Sequence, residues 1–150
     1  MSPGGAIIAA MPDPALTRLA AAVLQIPAPE RALVAGCGEG EPVLFLAREF
    51  PSARVRGVDS SPEQVRAASA RTGLDPEGRV VFKQAGRRRL PFPDAFFDLV
   101  VVFEGRPAAG EIARVLRPEG RLILAAQPPA GLVAGAQEWL WRRRLPPGAI

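Results

Sequence analysis

The feature that most limits the possible folds is an alternation of short apolar segments with segments of helical periodicity. The apolar segments run almost without polar interruption, which is typical of strands buried on both faces of a parallel sheet. They comprise Arg31–Gly36, Ala53–Asp59, Arg79–Ala85, Phe97–Phe103 and Arg121–Gln127. Strands that alternate with helices predict a doubly wound α/β domain with helices on both faces of the sheet.

The segments between these strands carry the signals that start helices. Asp13 and Pro14 are typical of an N-cap and a first helical residue, and Pro42 opens a second helix after the first apolar segment. Ser61 is placed to cap a third helix, with Gln64 completing a capping box. A fourth helix, between the last two apolar segments, is indicated by the apolar stripe Ala108, Ile112, Val115 and Leu116.

Length and composition favour one soluble domain. A chain of 150 residues, 48% hydrophobic and 23% charged, is long enough to bury a single core. We expect one domain over residues 1–150, with an N-terminal helix within 11–30, a cofactor-binding core at 31–127 and a helix and tail at 128–150.

The sequence also bears on the cellular compartment and on metal binding. No apolar stretch approaches the roughly 18 residues of a membrane span, and the N-terminus lacks the basic start of a secretory signal. The single Cys37 cannot form an internal disulfide. We therefore expect a cytoplasmic protein, and we expect no metal site.

The positive charge is local. The formal net charge is +4, but residues 87–89 and 142–144 are all arginine, and without them the chain has 13 basic and 15 acidic residues. Neither cluster is interleaved with aromatic residues as in single-strand binders. Two solvated faces are the main interpretation, and RNA binding through the two clusters is a weaker alternative.

A loop of alternating glycines, "VAGCGEG", follows the first apolar segment and predicts a binding loop. Gly36, Gly38 and Gly40 allow positive φ and close approach of a ligand. A dinucleotide fingerprint, G-x-G-x-x-G, would need glycine where Glu41 stands, and both Glu39 and Glu41 would repel a pyrophosphate. A less negative ligand fits better, and a tight turn without ligand is the alternative.

Asp59 and Cys37 are the other polar candidates near this loop. Asp59 ends the second apolar segment, 19 residues beyond Gly40, close to the spacing of an acid that binds ribose hydroxyls. The alternative role for Asp59 is a cap for the helix that begins near Ser61. Cys37 is expected to be a small buried residue rather than a reactive thiol, because no base or cation is evident nearby.

Four segments in order, "ALVAGCGEG", "VRGVDSSPEQV", "LPFPDAFFDLVVV" and "EIARVLRPEGRLILA", resemble the class I S-adenosylmethionine-dependent methyltransferases, especially those acting on small molecules. The resemblance covers roughly residues 31–126 and implies a Rossmann-like, mainly parallel sheet of about five strands in the order 3-2-1-4-5. It also implies S-adenosylmethionine as cofactor and S-adenosylhomocysteine as product. The cofactor contacts it implies are Gly36, Cys37, Gly38 and Gly40 around the methionine end, Asp59 on the ribose and Ser60 beside the adenine.

The sequence departs from this family at several positions. Val34 stands where the family usually has an acid, and Gly86 replaces an acid that often contacts the adenine amino group. The substrate region after the fourth strand is short, and we expect no counterpart of the family's last two strands after the fifth. Because the chain has no histidine, a general base would be a carboxylate or water, and Glu104 is the weak candidate. Its alternative is a solvated loop carboxylate.

These observations predict a methyltransferase-like protein that acts on a small molecule. The alternative is a catalytically degenerate relative that serves as a binding or partner subunit. We expect no membrane partner. We also expect a homodimer, because the fifth strand would be an apolar edge, with Trp139 and Trp141 on a C-terminal helix nearby.

Overall fold

Helices and strands alternate along the part of the chain that the structure, a computed structural model, describes: residues 14–73, 75–105 and 107–125. The helices are α1 (Pro14–Val23), α2 (Glu41–Glu49), α3 (Pro62–Thr72) and α4 (Ala109–Val115). The strands are β1 (Arg31–Ala35), β2 (Arg54–Asp59), β3 (Val80–Gln84), β4 (Phe97–Val102) and β5 (Leu116–Leu124). The expected cap Asp13 and the expected C-terminal helix, with Trp139 and Trp141, lie outside the described residues.

The five strands form one parallel sheet in the order β3-β2-β1-β4-β5, which confirms the predicted fold class. Side chains of β1 alternate between its two faces: Val34 joins a core cluster with residues of α1 and α2, and Leu33 joins a second cluster with residues of α4. Both are fully buried. The continuous apolar pattern of β1 is therefore explained by helices on both faces.

Helix α3 begins at the predicted cap, but the capping box is only half formed. The hydroxyl oxygen of Ser61 accepts a hydrogen bond from the Gln64 amide at 3.3 Å, as expected. The Ser61 amide donates to Oδ1 of Asp59 at 2.9 Å instead of to the Gln64 side chain. The prediction of a full box was wrong because the preceding carboxylate already takes this donor.

Strand β5 begins earlier than the sequence pattern indicates. The expected strand was Arg121–Gln127, with Leu116 in the preceding helix, whereas β5 begins at Leu116 and its described part ends at Leu124. The backbone amide groups of Ala95 and Phe96 donate to carbonyl groups at the end of α4, and Leu116 then pairs with Phe97. This pairing draws the chain into the sheet directly after the helix.

An irregularity divides β5. Leu116 pairs with Phe97 and Arg121 with Leu99, so four residues of β5 lie between two partners that are only two residues apart on β4. Glu119, within this insertion, has a φ of 67°. The insertion explains why only the second half of the strand has an apolar sequence signal.

No helix in the described ranges is long and apolar enough to cross a membrane.

Candidate functional site

A cavity of about 210 Å³ opens at the carboxyl ends of the central strands. The strand order reverses beside β1, and α/β sheets bind their ligands at such a reversal. Four predicted site residues line this cavity together: Gly36, Asp59, Ser60 and Glu104. The other lining residues are Ala35, Val58, Ala85, Gly86, Arg87, Leu90, Gly105 and Pro107.

Gly36 allows the loops after β1 and β4 to meet. Its φ is 71°, in the left-handed region, and a β-carbon there would overlap the backbone carbonyl group of Glu104. The amide group of Phe103 also donates to the carbonyl oxygen of Ala35 at 2.9 Å. Only glycine fits at position 36, because any side chain would push the two loops apart.

The amide groups of the glycine loop, residues 36–40, point mostly into the protein. Those of Gly36 and Cys37 donate to the carbonyl oxygen of Val58 at 2.9 and 3.0 Å, and that of Gly38 donates to Oδ2 of Asp59 at 3.0 Å. Among the described residues, the carbonyl oxygen of Gly36 accepts no hydrogen bond. The loop therefore offers the Gly36 carbonyl oxygen as an acceptor rather than a cradle of amide donors, which suits a cationic ligand group better than a phosphate.

The other two loop glycines differ in what surrounds them. Gly38 has a φ of 55°, and a β-carbon there would meet no atom within 4 Å. Gly40 has a φ of 95°, and a β-carbon there would lie 2.9 Å from the Phe82 ring and 3.1 Å from Ala68. Gly40 thus packs the loop against α3 and β3, away from the cavity, and Gly38 leaves space open.

Asp59 joins two loops through one carboxylate. Its Oδ2 accepts the Gly38 amide at 3.0 Å, and its Oδ1 accepts the Ser61 amide at 2.9 Å. The sequence analysis treated helix capping and ligand binding as alternatives, but the capping bonds leave acceptor capacity on both oxygens. The two hydrogen bonds from backbone amide groups fix the orientation of the carboxylate at the cavity wall.

Cys37 is buried beneath the loop, with 1% of its surface exposed. Burial, together with the nearby negative charge of Asp59, raises the pKa of its thiol to about 12. The thiol is therefore protonated at neutral pH and is a poor nucleophile. The prediction of a small buried residue is confirmed.

The structure also identifies cavity residues that sequence reasoning missed. They include Arg87, which was assigned to a solvated cluster, and Leu90; both line the cavity beside Gly86, the position that the resemblance places at the adenine. These residues follow β3 closely, and their position at the carboxyl end of a parallel strand was the available signal. A β-carbon at position 86 would meet no atom within 4 Å, so this part of the wall is bare backbone.

The sheet order and the position of the cavity define a Rossmann-like α/β protein with its ligand site at the topological switch point. Residues 32–120 match the family model described as a methyltransferase domain. The chain belongs to the class I S-adenosylmethionine-dependent methyltransferase family.

Individual relatives agree with this assignment. The chain is 39% identical over 134 residues to 27-O-demethylrifamycin SV methyltransferase of Amycolatopsis mediterranei, covering 81% of this chain and 49% of the relative. It is 38% identical over 110 residues to demethylmenaquinone methyltransferase of Thermus thermophilus, covering 68% of this chain and 49% of the relative. The chain thus spans about half the length of these curated relatives.

A solved structure with a different stated activity is also similar. The [4+2]-cyclase SpnF matches with a TM-score of 0.64 and 26% identity, covering 82% of this chain and 56% of that one. Similarity in this fold therefore extends to a protein whose stated activity is a cyclisation.

Proposed function

We propose that this chain binds S-adenosylmethionine in the cavity and transfers its methyl group to a small-molecule acceptor, leaving S-adenosylhomocysteine. The observation that carries the proposal is that the cavity joins the glycine loop and the Asp59 carboxylate at the switch point of a methyltransferase-family sheet. The two relatives described above are both named as methyltransferases of small molecules, which supports the acceptor class.

The described residues fit this cofactor. Asp59 is held with free lone pairs that can accept the ribose hydroxyl protons, and the carbonyl oxygen of Gly36 suits the ammonium group. Ser60 would lie beside the adenine. The charged residues of the cavity lining are Asp59, Glu104 and Arg87, with a net negative charge that favours a cation. When bound, the cofactor supplies an electrophilic methyl group on a sulfonium.

Glu104 is the proposed general base. Glu104 is exposed in the loop after β4, whereas Asp59 and Ser60 follow β2, on the other side of β1. It lines the cavity and can accept a proton from an acceptor hydroxyl or amine. Methyl transfer depends mainly on alignment of the nucleophile, so a modest loss of turnover is expected for Glu104→Gln.

A chain that binds the cofactor without methyl transfer is the second candidate function. It is favoured by Val34, which is fully buried and offers no polar contact, and by the bare backbone at Gly86. A protein of similar fold is described as a [4+2]-cyclase, so cofactor binding and methyl transfer have to be tested separately.

Titration calorimetry with S-adenosylmethionine and S-adenosylhomocysteine tests binding directly. A dissociation constant below about 100 μM, or roughly −5.5 kcal/mol, supports the cofactor site, and no heat at millimolar concentration contradicts it. Transfer of a labelled methyl group to a panel of hydroxylated and quinol acceptors then separates the two candidates. Binding with no transfer to any acceptor would favour the non-catalytic one.

We further propose a cytoplasmic homodimer, with residues 31–127 as the cofactor-binding core. A free buried thiol at Cys37 suits a reducing compartment. Among the described residues β5 has no strand beyond it, and an edge with Leu122, Ile123 and Leu124 can pair with a second copy. Light scattering at micromolar concentration on the chain and on a version ending at Pro129 tests this, and a monomeric full chain would contradict it.

A further inference from the structure

The cavity wall that follows β3 is attached to α4 by side chains. We define this far wall as residues 86–90. Leu90, which is 2% exposed, donates its amide to Oε1 of Glu111 at 2.8 Å, and its carbonyl oxygen accepts from Nη2 of Arg114 at 2.8 Å. Both backbone polar groups of a cavity residue are therefore held by two side chains that do not themselves line the cavity.

Arg114 uses all of its donors in this attachment. Nε and Nη2 donate to the two oxygens of Glu111 at 2.8 and 3.0 Å. Nη2 also donates to Leu90, and Nη1 donates to the Phe92 carbonyl oxygen at 2.8 Å and to Oδ1 of Asp94 at 2.9 Å. A guanidinium has five N–H donors, and here two hydrogen bonds hold Arg114 to Glu111 within α4, while the other three join α4 to Leu90 and to the turn after the far wall.

A backbone hydrogen bond supplements the two side chains. The amide group of Ala108, just before α4, donates to the carbonyl oxygen of Arg87 at 2.9 Å. The far wall is thus tied to α4 at both Arg87 and Leu90. Because Glu104, Gly105 and Pro107 immediately precede α4 and also line the cavity, the same helix start sets the distance between two sides of the cavity.

The fold has a separate anchor for this turn. Phe92 packs edge-to-face on Phe97 with ring centroids 4.9 Å apart, and both belong to the core cluster on the α4 face. Loss of the Arg114 hydrogen bonds therefore leaves the apolar anchor in place and frees mainly the backbone of the far wall.

We propose that Glu111 and Arg114 are positioning residues for the cofactor cavity. They hold the far wall against the start of α4, so that the cavity keeps the width that its ligand requires. The inference rests on the proposed function, because it assigns the pair a role in binding S-adenosylmethionine. Neither residue lines the cavity, so the effect on affinity is transmitted through Leu90, whose amide and carbonyl groups they hold.

The test compares two Arg114 variants with two control variants. One control breaks a different ion pair, and the other lowers stability at a site remote from the cavity. Arg114→Met and Arg114→Lys remove the bridging hydrogen bonds, the second with the charge retained. Arg117→Met removes an exposed ion pair with Glu30, 3.1 Å long, as the matched control. Val23→Ala in α1 lowers stability at a buried site remote from the cavity.

The quantity measured is the dissociation constant for S-adenosylhomocysteine at about 15 °C. Circular dichroism at the same temperature checks that each variant is folded. Both Arg114 variants are expected to raise this constant at least tenfold, because neither an ammonium group nor a thioether can span the two backbone carbonyl oxygens and two carboxylates that Arg114 bonds. Arg117→Met and Val23→Ala are expected to stay within twofold of the unaltered chain, although Val23→Ala lowers the melting temperature. If Arg114→Met does not fold, Glu111→Gln replaces it.

The possible failures are distinguishable. No binding by the unaltered chain overturns the proposed function and this inference together. Binding by the unaltered chain with an unchanged constant in the Arg114 variants overturns this inference alone. An equal loss of affinity in Val23→Ala also overturns it, because the effect would then follow from general destabilisation.

Discussion

The two sides of the cavity are built by different means. The glycine loop is held by backbone amide groups that bond to Val58 and Asp59, whereas the far wall is held by the side chains of Glu111 and Arg114. The first side depends on backbone conformations that only glycine adopts easily. The second depends on charged groups whose loss frees the backbone of the far wall while the Phe92–Phe97 contact stays in place. We therefore expect substitution at Gly36 to lower mainly the stability of the fold, and loss of the Arg114 hydrogen bonds to lower mainly ligand affinity.

The largest effect is expected at Gly36. Gly36→Val places a side chain at a φ of 71° and against the Glu104 carbonyl group, so we expect a loss of about 3 kcal/mol or more in the free energy of unfolding. Gly38→Val is the matched control, because position 38 is open and only its backbone conformation is unfavourable, a cost of about 1–2 kcal/mol. Urea denaturation measures both. Equal losses would contradict the close approach at Gly36.

Asp59 should separate ligand binding from stability. Asp59→Ala removes two hydrogen bonds to backbone amides and the proposed ribose acceptor, so we expect weaker binding of S-adenosylhomocysteine by about 1.5–3 kcal/mol. Asp98→Ala is the control: its carboxylate also accepts two backbone amides, from Glu30 and Arg31 at 2.8 and 2.9 Å, at the start of β1. Both variants should lose stability, and only Asp59→Ala should lose affinity in calorimetry.

Gly38→Val is also expected to obstruct the ligand while the chain stays folded. The open space beside Gly38 is where the proposed methionine end would lie, and an isopropyl group would occupy part of it. We expect at least a tenfold weaker affinity for S-adenosylhomocysteine in calorimetry, or about 1.4 kcal/mol. Titration behaviour like that of the unaltered chain would argue against a ligand at this loop.

The smallest expected effect is a change in the stability of the fold at acidic pH. Hydrogen bonding to Arg114 lowers the pKa of Glu111, so Glu111 contributes stability above its unfolded pKa of about 4.5 and loses that contribution as the pH falls through the lower folded value. Glu111→Gln should therefore lose less stability than the unaltered chain between pH 5 and pH 3. Denaturation with urea across this range measures the difference. Parallel pH profiles would mean that the hydrogen bonds from Arg114 do not stabilise the Glu111 carboxylate in the folded chain.

The same contrast explains what the sequence could predict. The glycine loop and Asp59 lie within one strand-helix-strand unit, where spacing and residue type carry the information, and the structure brings them together as expected. Leu90 is held by Glu111 and Arg114, and Arg87 by the backbone amide of Ala108, all more than 20 residues away in the chain. Spacing patterns along the chain do not encode such contacts, so Arg87 was assigned to a solvated cluster and Leu90 was not assigned to the site.

Strand boundaries show the same limit. The end of α4 and the start of β5 at Leu116 are decided by pairing with Phe97, a residue on another strand. Helical periodicity continued through Leu116 and gave no sign of this pairing. In contrast, the cap of α3 was predictable because Ser61 and Gln64 act within one turn.

The inward direction of the loop amides has a consequence for competition inside a cell. Adenosine is shared by many abundant metabolites, including nucleoside triphosphates and dinucleotides, and Asp59 alone would not distinguish their ribose from that of the proposed cofactor. The amide groups of Gly36, Cys37 and Gly38 are already bonded to Val58 and Asp59, so a polyphosphate would find a row of satisfied donors beside a carboxylate. If S-adenosylmethionine binds here as proposed, the backbone of the loop would disfavour these rivals without a residue devoted to exclusion.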